Sequence, residues 1–116
     1  MSMTAPHLNP LADGIFATAQ LEPTAMQWAA DAGFKSIINN RPDFEGGPTQ
    51  PTSAAIEAAA RAAGLQYAYL PVSPSVHTAN DIEAMARLVN ALPQPILAFC
   101  RSGARTAKLF AAATQG

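Results

Sequence analysis

The 116-residue sequence predicts an α/β domain built as three layers, a mostly parallel sheet of four to five strands flanked by helices on both faces. Three observations carry that expectation. Four short apolar runs alternate with four helix signals along the chain. The links between successive runs are long enough for the crossover helices that parallel strands require. The last run, Ile96-Leu97-Ala98-Phe99, is apolar throughout, the pattern of a strand buried on both sides.

Taken in order, residues 1–8 read as a short tail, and Gly14 to Ala19 as the first strand. Pro23 suits the first turn of a helix, because its missing N–H would find no partner there. That helix is expected from about Pro23 to Ala32, with Ala25, Met26, Ala29 and Ala30 at helical spacing and Gly33 as its stop. Ser36 to Asn39 is the second strand. The segment from Asn40 to Pro51 holds three prolines and two glycines, which continue neither helix nor strand, and so reads as a loop long enough to carry function. Thr52 or Ser53 caps an alanine-rich helix that ends at Gly64. Gln66 to Leu70 is the third strand, and Pro71 to Thr78 a second loop. Thr78 or Asn80 caps a helix whose Ile82, Met85, Ala86, Val89 and Leu92 share one face. Pro93 and Pro95 break the chain before the last strand, and Thr106 to Ala113 is the final helix.

Length fits one domain spanning residues 1–116. Seven Lys and Arg against eight Asp and Glu give a net charge of -1, so no global positive field exists to gather nucleic acid or an acidic membrane. Any anion site must be local. The single cysteine, Cys100, rules out an intramolecular disulfide framework, and no apolar run approaches the ~20 residues of a membrane span. The first ten residues lack the basic start and apolar stretch of a secretory signal, so the expected compartment is the cytoplasm. One Cys and two well-separated His, with no acidic cluster around them, predict neither a bound metal nor another cofactor. Oligomeric state is not encoded in any pattern seen here.

In parallel sheets ligands bind beyond the carboxyl ends of the strands. Asn39–Asp43, Pro71–Thr78 and Cys100–Arg105 are predicted to meet there. The last of these, Cys100-Arg101-Ser102-Gly103-Ala104-Arg105-Thr106, joins a strand to a helix. Its backbone N–H groups are placed to curl around an anion, and the helix N-terminus adds positive potential. Gly103 permits a loop conformation closed to other residues, and Arg105 offers a two-pronged grip on a tetrahedral anion. The same field lowers a thiol pKa from about 8.5 to about 3.5–7.5, which makes Cys100 a nucleophilic thiolate. Cys100 and Arg105 are therefore the expected catalytic pair, with Arg101, Ser102, Gly103, Ala104 and Thr106 around the substrate.

The hexapeptide from Cys100 to Arg105 resembles the active loop of rhodanese-type sulfurtransferases. The segment Ser36-Ile-Ile-Asn-Asn-Arg-Pro-Asp43 and the alanine-rich helix after it resemble the phosphatase-like domain of beta-lactamase-hydrolase-like proteins, also labelled DUF442, over about residues 8 to 113. That resemblance implies a fold like that of the dual-specificity tyrosine phosphatases, in which a hydroxyl following the arginine bonds the cysteine sulfur. It also implies a persulfide dioxygenase as a partner, because some members are fused to one in sulfide-detoxifying systems.

Two reactions compete. Tyrosine phosphatases place five residues between nucleophile and arginine, whereas this loop has four and encloses a smaller volume. Such phosphatases also need an acid to protonate the leaving group, and Pro71–Thr78 contains no carboxylic acid. Sulfur transfer needs none, because the departing sulfite or thiolate is already a stable anion. The expectation from sequence is a sulfurtransferase that takes sulfane sulfur from thiosulfate or a persulfide onto Cys100. Its alternatives are a cysteine-based phosphatase and a non-catalytic anion- or partner-binding module.

A second tier of residues has two readings each. Arg41 and Asp43 either contact substrate or hold their Arg-Pro-Asp turn with an ion pair of their own. Arg101 either recognises substrate or pairs with Asp43 or Glu45. His77 is either a proton donor over the site or an incidental loop residue. Thr106 also suits the role of helix cap, and Asp81 that of a cap or dipole partner for the third helix.

Overall fold

A computed structural model describes residues 6–114. The chain runs β1 (Asn9–Ala12), β2 (Ile15–Thr18), α1 (Ala25–Asp31), β3 (Ser36–Asn39), α2 (Ser53–Ala62), β4 (Gln66–Tyr69), α3 (Ala79–Ala91), β5 (Ile96–Phe99) and α4 (Ala104–Ala113). The sheet order is β1-β2-β5-β3-β4. Strands β2, β5, β3 and β4 are mutually parallel, and only the edge strand β1 runs antiparallel to its neighbour.

Alternation along the buried strands divides the core into two. Ile37, Tyr67, Leu97 and Phe99 pack with Met26 and Ala29 of α1 and Ile56 and Ala60 of α2. Their neighbours Ile15, Ile38, Ile96 and Ala98 face the other way, onto Met85 and Val89 of α3 and Leu109 and Phe110 of α4. The three expected layers result. Every residue of β3 and β5 is buried, as strands covered on both faces must be.

The edge strand was not anticipated. Asn9-Pro10-Leu11-Ala12 carries a proline, which a central strand excludes but an edge tolerates, and Asp13-Gly14 then turns the chain into β2 with Gly14 at φ 77°. Of the predicted tail, residues 1–5 lie outside the described residues. The rest follows the sheet: the His7 carbonyl accepts the Thr18 hydroxyl at 2.8 Å, and Leu8 packs on the core.

Helix boundaries refine the expected ones. Helix α1 starts at Ala25, two residues after the expected Pro23, with Thr24 as its N-cap. Thr52 caps α2 by accepting the Ala55 N–H at 3.2 Å. Thr78 and Asp81 form a reciprocal capping box on α3, which settles both as structural. The last helix starts at Ala104, two residues before the predicted start. Its cap is Gly103, so Thr106 is not the cap. The shift places Arg105 and Thr106 inside the first turn, pointing back toward the end of β5.

Candidate functional site

Cys100 follows the last residue of the central strand β5 and is 1% exposed. Its sulfur accepts the Gly103 N–H at 3.1 Å, so the loop closes back over it. Gly103 is required there twice over. Its φ of 96° is left-handed, and a Cβ would stand 3.3 Å from the carbonyl carbon and oxygen of Thr18. The loop is also tied from outside, because the Gln20 N–H donates to the Arg101 carbonyl at 3.2 Å.

Burial works against a thiolate at Cys100, but donors outweigh it and hold the thiol below its ordinary value. These donors are the backbone N–H groups of Thr106, Gly103 and Ser102 and the Thr106 hydroxyl. The hydroxyl has a single proton, which it gives to Asn40 Oδ1 at 2.9 Å in this arrangement, so the backbone groups are the firmer part of that stabilisation.

Arg105, 9% exposed, is clamped from behind. Nη1 and Nη2 donate to Glu45 Oε2 at 3.0 Å and Oε1 at 2.9 Å, and Nη1 donates also to the Val72 carbonyl at 3.1 Å. The buried Nε–H has no partner among the described residues. Of the five guanidinium donors, Nε–H and one Nη2–H remain, which is the adjacent pair suited to two oxygens of one anion.

A cavity of about 610 Å³ is lined by Cys100, Arg101, Ser102, Ala104, Arg105 and His77, together with Pro74, Ala107 and Lys108. His77 thus reaches the same space as Cys100. Gly103 and Thr106 shape the loop from behind. A second, more apolar cavity of about 440 Å³ touches the loop only at Ser102 and includes neither Cys100 nor Arg105.

Arg41 and Asp43 do not line the cavity of Cys100. Arg41 does not pair with Asp43: its Nε donates to Glu45 Oε1 at 2.9 Å and its Nη1 to Gln20 Oε1 at 3.1 Å. Asp43 instead accepts the Ser53 N–H at 2.7 Å, at the start of α2. Arg101 pairs with neither Asp43 nor Glu45 and is exposed.

The roles of three residues of the site escaped sequence reasoning. Glu45 stands four residues after Arg41, a spacing that could have paired them. Fully buried Asn40 links Thr106 to the Leu70 carbonyl through its amide, as a polar residue directly after a buried strand should have suggested. Lys108 lies three residues after Arg105, on the same side of a helix.

A cysteine at the end of a central parallel strand, a backbone-lined loop and an arginine in the first turn of the next helix together define a cysteine-based, phosphatase-like fold. The family model described as "Beta-lactamase hydrolase-like protein, phosphatase-like domain" matches residues 8–116, and the chain belongs to that family. The Beta-lactamase hydrolase-like protein of Xylella fastidiosa (strain Temecula1) is 44% identical over 82 residues, covering 71% of this chain but 19% of the relative. The chain therefore spans about a fifth of the length of that curated protein. A crystal structure of a phosphatase candidate from Neisseria meningitidis Z2491 superposes with a TM-score of 0.80 at 31% identity, covering 87% of this chain and 71% of that one. The core catalytic domain of a PP-IP phosphatase from S. cerevisiae shares the fold, at 17% identity and a TM-score of 0.67, with 88% and 60% of the two chains covered. The preference for sulfur transfer drawn from loop length finds no support in these relatives, which side with the phosphatase alternative.

Proposed function

We propose that the chain is a cysteine-dependent phosphatase acting on phosphate monoesters. One observation supports it above others: Cys100, Arg105 and His77 line a single cavity. Sulfur transfer has no use for a proton donor, whereas ester hydrolysis does, and an imidazolium supplies the proton that the absent carboxylic acid would have given.

In this reading the phosphate sits on the loop, with two of its oxygens on the free Nε–H and Nη2–H of Arg105. The Cys100 thiolate attacks phosphorus, forming an S–P bond as the P–O bond to the leaving group breaks. His77 gives its proton to the departing oxygen. Water then attacks the phosphocysteine and gives a proton to the now neutral His77. The S–P bond breaks, releasing inorganic phosphate and restoring the thiolate.

The test is a series of aryl phosphates with leaving groups of rising pKa, hydrolysed by the parent and by His77→Ala. The variant should lose about 10²- to 10⁴-fold on the poorest leaving group and far less on the best. An equal loss across the series removes His77 as the acid. Cyanide-dependent thiocyanate formation from thiosulfate, without ester hydrolysis, would overturn the phosphatase reading in favour of sulfur transfer.

A further inference from the structure

The cavity at Cys100 holds more positive charge than one phosphate requires. Of the seven lysines and arginines, Arg41, Arg61, Arg87 and Arg105 are paired with Glu45, Glu57 and Glu83. Lys35, Arg101 and Lys108 have no ion pair among the described residues, and the last two both line the cavity. Lys35 is at the opposite end of the sheet, just before β3. No Asp or Glu lines the cavity.

Helix α4 carries no acidic residue in its first turn, so nothing there neutralises Arg101, in the loop before it, or Lys108, one turn into it. Glu45 is shared by Arg41 and Arg105 and pairs with neither Arg101 nor Lys108. A single tetrahedral anion is satisfied by the loop N–H groups and the free edge of Arg105. The two exposed cations are then left over, at the mouth of the same space.

We propose that the substrate carries a second phosphoryl group near the scissile one, held by Arg101 and Lys108. The inference rests on the phosphatase reading and narrows it from monoesters in general to small molecules phosphorylated more than once.

Calorimetry on Cys100→Ser, which binds without turning over, tests it with inorganic phosphate and pyrophosphate as probes. Pyrophosphate should bind about tenfold more tightly than phosphate. Adding Arg101→Ala or Lys108→Ala should each shrink that ratio by about two- to fivefold, the range for exposed ion pairs, while Lys35→Ala leaves it unchanged. Equal affinities, or a ratio that neither cavity variant alters, or one that Lys35→Ala lowers as much, would overturn the second-phosphoryl site while leaving a phosphate site in place. Failure to bind either probe would instead overturn the phosphatase reading beneath it.

Discussion

Glu45 Oε1 lies 2.9 Å from both Arg41 Nε and Arg105 Nη2, so one carboxylate joins two buried guanidinium groups from different elements. The two arginines hold Glu45 below the usual carboxylate range against the opposing effect of burial, with the hydrogen bond from Arg105 contributing most. The clamp fixes which edge of Arg105 remains for an anion.

Glu45→Gln should therefore lose function through Arg105 and lose stability through both arginines. A neutral amide also brings an N–H donor against donors. Urea unfolding is expected to show about 2 kcal/mol of lost stability, below the 3–5 kcal/mol of a fully buried pair because Glu45 keeps 20% side-chain exposure. Phosphate affinity at a temperature where the variant stays folded should fall about tenfold or more. Unchanged affinity would show that Arg105 is positioned without Glu45.

Arg105→Lys should be poorly tolerated. An ammonium is a point charge and cannot reproduce a planar fork that meets Glu45 with one edge and an anion with another. Calorimetric phosphate affinity should drop, with kcat falling as well as KM rising. Affinity equal to the parent would place the anion elsewhere.

The Cys100 thiol is held below its ordinary value, so the pH dependence has a definite sign. Deprotonation makes the anion that the loop donors favour, which moves the titration midpoint down. Alkylation by iodoacetamide, followed against pH, should reach half its plateau rate below about 8.5, the value of an unperturbed cysteine. Thr106→Val should move that midpoint little, because the hydroxyl proton goes to Asn40 and the backbone donors remain. A parent midpoint at or above the unperturbed value would contradict the loop electrostatics.

Gly103→Ala should cost about 1–2 kcal/mol from the left-handed backbone alone, and more from the close approach to Thr18. Because Gly103 also donates to the Cys100 sulfur, the alkylation midpoint should rise together with the loss of stability. A variant with parental stability and parental midpoint would show that the loop has another accessible form.

The alternation of strands and helices, the loop from Cys100 to Thr106 and the caps at Thr52 and Thr78 were readable because each depends on local chemistry: periodicity, a glycine at a left-handed position, a side-chain acceptor at a helix start. Strand β1 was hidden by Pro10, which suppresses a strand signal although an edge tolerates it. The partners of Arg41 and Arg105 were hidden for a different reason. Glu45 reaches Arg105 across 60 positions of chain, and only the register of β3 beside β5 brings them together. Asp43 was the nearer and more obvious partner for Arg41, yet its carboxylate is taken by the start of α2. Loop length and the lack of a carboxylic acid in Pro71–Thr78 favoured sulfur transfer in the sequence, whereas the relatives side with the phosphatase alternative; what the sequence left open for His77 was its place, which is in the cavity of Cys100.

If the chain is a cysteine-dependent phosphatase, Cys100 becomes phosphorylated during turnover. Intact-mass measurement of the protein, acid-quenched during hydrolysis of 4-nitrophenyl phosphate and mapped to peptides, tests it most directly. One phosphoryl group should appear on Cys100 and be absent from Cys100→Ser. No phosphoryl adduct under these conditions, with one added sulfur on Cys100 after exposure to thiosulfate or polysulfide, would contradict it.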